Sequence, residues 1–387
     1  MNRKSPAKLS RTFFCFRAKS ITTFHIKAVY LEKLYHLPLT MKRIVPALAF
    51  IFVATISFAK NNKEILPADR QQIASIGDFK LESGEVIKDC KVGYRTYGHL
   101  NSTKSNGVLF LTWFGGTAKS IESVNPWPAI DTTRYCLIII DALGNGVSSS
   151  PSNSPTQHGT KFPAFSIGDM VASQHELLTK KLGITHVKAI TGISMGGIQT
   201  FQWAASYPDF ASNLIPIVGS PQPSSYDLML YSTFRNIIDA DSTFNHGNYT
   251  VNPNIVTAKM LWELFLTTPT DRVKNIAHDD FAQWMKSTIN NSYGDWNDTR
   301  YQITAIIGHD ISKYYHHSLQ EVAAHVKAKM LIISSEQDHM VNPNPAIEFS
   351  KLLPAKLVLL NNSKGHLVAD LNNPEIKDKI IELLAAE

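Results

Sequence analysis

Residues 187–205 read as a strand, a turn with no room for side chains, and a helix. The β-prone run Val187-Lys-Ala-Ile190 leads into Gly192-Ile-Ser194-Met-Gly196-Gly197, and a helical pattern follows through Ala205. A turn this sharp forces its apical serine into a strained conformation, and the flanking glycines let strand and helix backbones approach without Cβ clashes. The expected product is an exposed hydroxyl at the positive end of a helix, with the Met195 N–H pointing into the space in front of it. Gly-x-Ser-x-Gly is a short pattern, and the strand before it and the helix after it give it meaning here. Ser194 is therefore the candidate nucleophile.

The rest of the chain is patterned to support such a turn. Residues 79–81 and 90–96 alternate well enough for two antiparallel strands around Glu82-Ser-Gly84, preceded by a polar lead-in over 60–75. Buried strands are expected at 108–112, ending in Trp113-Phe114-Gly115-Gly116, and at 135–140, ending in Asp141. Helical periodicity spans 167–182, and further buried strands follow at 214–219, 329–334 and 356–360. Residues 373–386 close the chain as an amphipathic helix. Short apolar strands alternating with helices predict an α/β fold, a mostly parallel sheet with helices on both faces. Residues 224–318 break that rhythm, being helix-rich, aromatic and polar, and read as a helical cap inserted between core segments 60–223 and 319–387.

A net charge of +6 invites a nucleic-acid or membrane reading, but its location argues otherwise. Met41-Lys42-Arg43, an apolar run over 44–58 and the small residues Ser57 and Ala59 have the layout of a cleaved export signal at 41–59. The run is shorter than the ~20 apolar residues of a membrane span. No cysteine follows the cleavage point, so no lipid anchor is expected. Residues 1–40 then precede a complete signal and read as an extension upstream of the true start. Residues 1–59 hold ten of the 38 Lys/Arg and one of the 32 acids, leaving 28 basic and 31 acidic residues, a net of −3. The exported protein is thus not basic, and no nucleic-acid partner is expected.

Of three cysteines, Cys15 lies upstream of the signal; an oxidising compartment would permit Cys90 and Cys136 to pair, while the place of Cys136 at the head of an apolar strand favours a small core residue. There is no Cys-x-x-Cys or His-Glu-x-x-His, and His316-His317 lacks helical ligand spacing, so neither metal nor cofactor is expected.

A serine hydroxyl becomes a nucleophile when a histidine takes its proton, and that histidine needs a carboxylate to hold its tautomer. In folds of this kind the order along the chain is serine, acid, histidine, with the last two on loops after later strands. After strand 329–334 comes Glu336-Gln-Asp338-His339, and after strand 356–360 comes Gly365-His366. Asp338 is preferred as the acid over Glu336, His366 is the expected base, and His339 reads as a loop residue. An oxyanion hole needs two convergent N–H donors. Met195 supplies one, and Gly115, in the glycine pair after strand 108–112, is expected to supply the other.

These segments together resemble the homoserine O-acetyltransferase family of α/β-hydrolase-fold enzymes, across most of residues 77–370. Phe79-Lys-Leu-Glu-Ser-Gly-Glu with Val92-Gly-Tyr-Arg-Thr-Tyr-Gly-His-Leu-Asn101 is similar to the family's N-terminal hairpin. Ile167-Gly-Asp-Met-Val with Gln174, and Gly192 to Gln199 with Trp203, are similar to its helix and nucleophile segment. Arg235-Asn-Ile-Ile-Asp-Ala-Asp241 and His309-Asp310-Ile311 resemble parts of its cap. The resemblance places the family's triad on Ser194, Asp338 and His366. It also implies substrate contacts from Trp113, Phe114, Arg235, Lys259 and the residue after His366. At that last position the family's Gly-His-Asp is Gly-His-Leu367, which cannot pair with a substrate ammonium. The family's substrate-gripping arginine aligns with Lys259, losing the bidentate fork, and its His-Ala-Leu-Thr stretch is Trp113-Phe-Gly-Gly.

The expectation is an exported, periplasmic or secreted serine acyl hydrolase acting on a small ester or thioester through an acyl-Ser194 intermediate. The alternatives are an O-acyltransferase serving a small alcohol such as homoserine, and a non-catalytic binding protein on the same fold. No stable membrane anchor is expected after signal cleavage, and a homodimer is left open.

Overall fold

The computed structural model describes residues 70–386, apart from Ser292. The expected signal at 41–59, the extension before it, most of the polar lead-in and Cys15 lie outside the described residues. No helix among the described residues is long and apolar enough to cross a membrane.

Strands β1 (Gln72–Lys80) and β2 (Val86–Tyr97) form the expected hairpin, with Phe79 opposite Ile87. It is longer than the alternation suggested, because Gln72 to Ser75, expected in the lead-in, already pair with Lys91 to Tyr94. The other strands are β3 (Gly107–Leu111), β4 (Cys136–Ile140), β5 (Val187–Ile193), β6 (Ala211–Ile217), β7 (Lys329–Ser335) and β8 (Ala355–Leu360). All eight join one sheet in the order β1-β2-β4-β3-β5-β6-β7-β8, antiparallel through β1, β2 and β4 and parallel from β4 to β8. From β3 the chain winds to β4 on one side and then returns to place β5 on the other. The carboxyl ends of β3 and β5 therefore lie side by side, Leu111 opposite Gly192, at the crevice where open α/β sheets bind ligands.

Alternation along the strands divides the core into two faces. Leu109, Leu111, Ile138 and Ile190 pack with Phe201 and Trp203 of one helix layer, and Val108, Phe110, Ile139 and Ala189 pack with Ile376 and Ile380 of the other. The chain thus has the α/β fold its pattern predicts. Helices on the first face are α2 (Ile167–Glu176), α3 (Met195–Ser206), α9 (Leu319–His325) and α10 (Asn344–Ser350); the second face carries α1 (Ala118–Ile121) and α11 (Pro374–Ala385). Strand β8 departs from expectation. It is an edge strand, like β1 at the other end, and only half covered, with Leu359 exposed. Cys90 and Cys136 are buried and unpaired, and burial pushes their thiols up to about 12 and about 11.

Between β6 and β7 the described residues contain no strand. Helices α4 (Ser225–Ala240), α5 (Val256–Leu266), α6 (Pro269–Asn275), α7 (Phe281–Asn290) and α8 (Trp296–Ile307) occupy this stretch. Three of the five starts are encoded locally: Ser224 and Asp227 form a reciprocal capping box on α4, Thr268 caps α6 with a proline at the first turn, and Asp295 caps α8. Helices α4, α5 and α8 share a core, built on Leu230, Phe234, Ala258, Trp296 and Ile303, with Met195 and Ile198 of the nucleophile helix and Met340 and Val341 beyond β7. The inserted helices therefore rest directly on the loops at the carboxyl edge of the sheet.

Candidate active site

Ser194 sits at φ 58°, ψ −119°, outside the regions a residue with a Cβ prefers and costing about 1–3 kcal/mol. Its N–H donates to the Ile217 carbonyl at 2.9 Å, and its own carbonyl accepts from Ile198 at 2.9 Å. The glycines around it are explained by what a methyl group would strike. A Cβ on Gly192 would lie 2.5 Å from the Gly196 backbone, one on Gly196 2.2 Å from the Leu111 carbonyl oxygen, and one on Gly197 2.7 Å from the Ile217 oxygen. The helix start is thus wedged between the ends of β3 and β6, and the serine is pushed out of the wedge.

A buried polar chain holds the wedge from behind. The Trp203 indole N–H donates to Gln174 at 3.0 Å, Gln174 donates to Gln199 at 2.6 Å, and Gln199 donates to the carbonyls of Thr112 (3.0 Å) and Met195 (3.1 Å). Gln174, Gln199 and Trp203 belong to the segments that carry the family resemblance, yet nothing in their spacing signalled this shared role.

The structure brings Ser194, Asp338 and His366 together. His366 Nε2 lies 2.8 Å from Ser194 Oγ, and its Nδ1 lies 2.7 Å from Asp338 Oδ2. Asp338 and His366 are buried, whereas Ser194 is half-buried and reachable. The other carboxylate oxygen, Asp338 Oδ1, accepts the N–H groups of Met340 (2.8 Å) and Val341 (2.9 Å), which hold the acid in one orientation. Glu336 is exposed, and His339 is a half-buried loop residue. His366 rides on a single turn, Gly365–Val368, that begins with Gly365 at φ +64° packed against Thr268 and Gln337.

The expected oxyanion donors fare differently. The Met195 N–H has no acceptor among the described residues. Gly115 does not match the expectation: its N–H already donates to Gln302 Oε1 at 2.8 Å. Gln302 is fully buried and cannot leave its amide unpaired, so it takes this donor and gives its own N–H to the Leu143 carbonyl at 3.0 Å. The glycine pair serves the turn itself, since Gly115 has φ +66° and a Cβ on Gly116 would strike the Trp113 indole at 2.5 Å. One residue earlier, the Phe114 N–H carries no hydrogen bond to the described residues. The acceptor that engages Gly115 comes from position 302, a partner that the order of residues around the turn does not show.

Among the expected substrate contacts, Trp113 and Phe114 are half-buried on the turn after β3. The Phe114 ring stacks on Trp262 of α5 at 4.7 Å and meets Phe234 of α4 edge-on at 6.3 Å, so an aromatic wall joins this turn to the inserted helices. Leu367 is 54% exposed beside His366, and α5 packs against the same turn. Arg235 is half-buried on α4 and makes no hydrogen bond or ion pair with the described residues. Lys259 does not present a free ammonium. Its Nζ donates to the carbonyls of Ile289 (3.0 Å) and Asn291 (2.7 Å) at the end of α7 and lies 5.4 Å from the Tyr293 ring, and burial lowers its pKa. It is a helix C-terminal cap, the favourable place for a cation. No cluster of metal-ligating side chains occurs among the described residues.

With this geometry in place, similarity to known proteins is informative. The family described as alpha/beta hydrolase fold matches residues 108–372. Ethyl acetate hydrolase of Pseudomonas veronii is 28% identical over 310 residues, covering 76% of this chain and 89% of that protein. Homoserine O-acetyltransferase of Geotalea daltonii is 29% identical over 331 residues, covering 75% of this chain and 90% of that protein. Among solved structures, an acetylester hydrolase from Corynebacterium glutamicum superposes with a TM-score of 0.76 at 28% identity, covering 82% of this chain and 96% of that one.

Proposed function

This chain belongs to the α/β-hydrolase-fold family, and from that premise we propose that it is a serine acyl hydrolase of small esters. The observation that carries the reading is the unbroken relay from Ser194 Oγ through His366 to Asp338, at 2.8 and 2.7 Å, behind a serine held at positive φ. Relatives named as an ethyl acetate hydrolase and an acetylester hydrolase support the same chemistry.

In the proposed reaction His366 Nε2 takes the Ser194 proton as Oγ attacks the ester carbonyl carbon, and the carbonyl π pair moves onto oxygen. The Met195 and Phe114 N–H groups, both without acceptors among the described residues, hold that oxyanion. Asp338 fixes the imidazole tautomer and stabilises the imidazolium. Collapse expels the alkoxide, which takes the proton back from His366, leaving acyl-Ser194. Water then gives a proton to His366 and attacks the acyl carbon, and the acid departs as Oγ recovers its proton.

Water is favoured over an amino-alcohol acceptor by two residues. Leu367 offers no charge to an ammonium, and Lys259 is occupied by the carbonyls of Ile289 and Asn291. Acyl transfer to a small alcohol is the second reading, supported by the relatedness to homoserine O-acetyltransferase. We further infer export to the periplasm or medium, on the 41–59 signal pattern alone. That inference predicts a secreted chain whose first residue is Lys60, and an intact leader on the active protein would refute it.

The purified enzyme is given p-nitrophenyl acetate with and without L-homoserine, and the products are identified by mass spectrometry. Acetate in both tubes supports the hydrolase, whereas O-acetylhomoserine in the second selects the transferase. Ser194→Ala has to abolish turnover, and retained activity would end both readings.

A further inference from the structure

Two buried side chains of the inserted helices reach out of that layer and into the catalytic loops. Tyr231 on α4 is 3% exposed, and its hydroxyl donates to the Met340 carbonyl at 2.6 Å. Met340 and Val341 are the residues whose N–H groups hold Asp338 Oδ1. One turn earlier on α4, the Asp227 carboxylate accepts the Asn342 N–H at 2.9 Å. The run 340–342 that grips the acid is thus itself gripped from above at both ends. On α8, Gln302 spans the Gly115 N–H of the turn after β3 and the Leu143 carbonyl of the loop after β4. The peptide it holds is adjacent to the unpaired Phe114 N–H.

We propose that Tyr231 and Gln302 are positioning residues of the acyl-transfer reaction, through which the inserted helices set the acid loop and the oxyanion loop respectively. The inference rests on the serine hydrolase reading above. Both loops lie outside the regular ladder of the sheet, so neither inherits its position from strand pairing. The productive geometry of such sites tolerates displacements of only about 0.5 Å. Helices α4 and α8 pack on one another, so one helical unit registers both loops. The insertion is then part of the catalytic apparatus and more than a cover for it.

The two arms carry different signatures because only one leads to a titrating pair. The ionisable groups facing run 340–342 are Asp227, Tyr226 and Tyr231 itself from α4, His309 after α8, and Asp338 with His366. His309 is fully enclosed, and burial holds its pKa down at about 4, so it stays neutral across the assay range.

The test compares the full-length wild type, Ser194→Ala, Tyr231→Phe and Gln302→Leu on p-nitrophenyl acetate as a function of pH, with unfolding midpoints measured alongside. In Tyr231→Phe, kcat falls roughly tenfold, the scale of one lost hydrogen bond, with KM nearly unchanged. The acidic limb of its kcat profile moves to lower pH, because a displaced Asp338 supports the imidazolium less. In Gln302→Leu, kcat falls at least as far while the limb stays in place, since backbone oxyanion donors do not titrate. If Tyr231→Phe does not fold, Asp227→Ala has to move the same limb; if Gln302→Leu does not fold, Gln302→Met has to give the same unshifted loss. Folded variants with wild-type kcat and limb overturn the proposal alone. Wild-type turnover that survives Ser194→Ala overturns the functional reading, and the proposal with it.

Discussion

Asp298 stands in the first turn of α8, one turn before Gln302, and is 5% exposed. Its Oδ1 accepts the Ser152 N–H at 2.9 Å, and its Oδ2 lies 2.6 Å from the Ser152 hydroxyl, tying the inserted helices to the loop after β4. Burial raises its pKa from 3.8 to about 7, against the lowering effect of the Ser152 bonds, and the Asp295 carboxylate adds to the rise. A carboxyl raised in the folded state binds its proton there while the unfolded chain has released it. Its contribution is fully present below about pH 4 and is lost as pH rises through about 7. Three pH units correspond to about 4 kcal/mol, taken as an upper bound. Asp298→Asn reproduces the protonated carboxyl, with Oδ1 accepting from the Ser152 N–H and the amide donating to its hydroxyl. The variant forgoes the attraction of an ionised acid for the helix N-terminus, about 0.3–1 kcal/mol. Part of that loss already falls below pH 5, so urea unfolding at pH 5 and pH 8 should show a wild type that loses up to about 2.5 kcal/mol more than the variant across this interval. Parallel pH dependence of the two proteins would refute the reasoning.

Three further substitutions probe other parts of the argument. Asp338→Asn removes the acceptor for His366 Nδ1–H and should lower kcat by about 10⁴ without unfolding the protein, and a loss under tenfold in steady-state assays would reassign the acid. Gly196→Ala places a methyl 2.2 Å from the Leu111 oxygen, so it should cost about 1–3 kcal/mol in thermal unfolding and abolish activity by moving Met195. Lys259→Met removes one ammonium and its two hydrogen bonds from the end of α7 and should cost about 2 kcal/mol of stability, with kcat/KM for a neutral acetate ester within about threefold of wild type. A large kcat/KM loss at unchanged stability would return Lys259 to the substrate site.

Much of this molecule was legible from residue order because the signals are local. The close approach that makes the elbow lies between residues a few positions apart, as with Gly192 and Gly196, so the motif carries its own geometry. The apolar runs at 108–112 and 135–140 marked buried strands, and the loss of the strand rhythm from 224 marked the inserted helices. Chain order also put Asp338 and His366 at the carboxyl ends of successive strands, and the sheet brought those ends together.

What tertiary structure alone decided is which polar group is already taken. Gly115 is the expected oxyanion donor until Gln302, 187 residues away, occupies its N–H. Lys259 remains a substrate ligand on paper until the end of α7 arrives with two carbonyls, and β8 looks buried until it proves to be one edge of the sheet. Backbone strain and periodicity are properties of neighbouring residues, so a linear sequence carries them. Hydrogen-bond occupancy and burial are settled between distant segments competing for the same atoms and the same surface, and folding has to bring those segments together before the competition has an outcome.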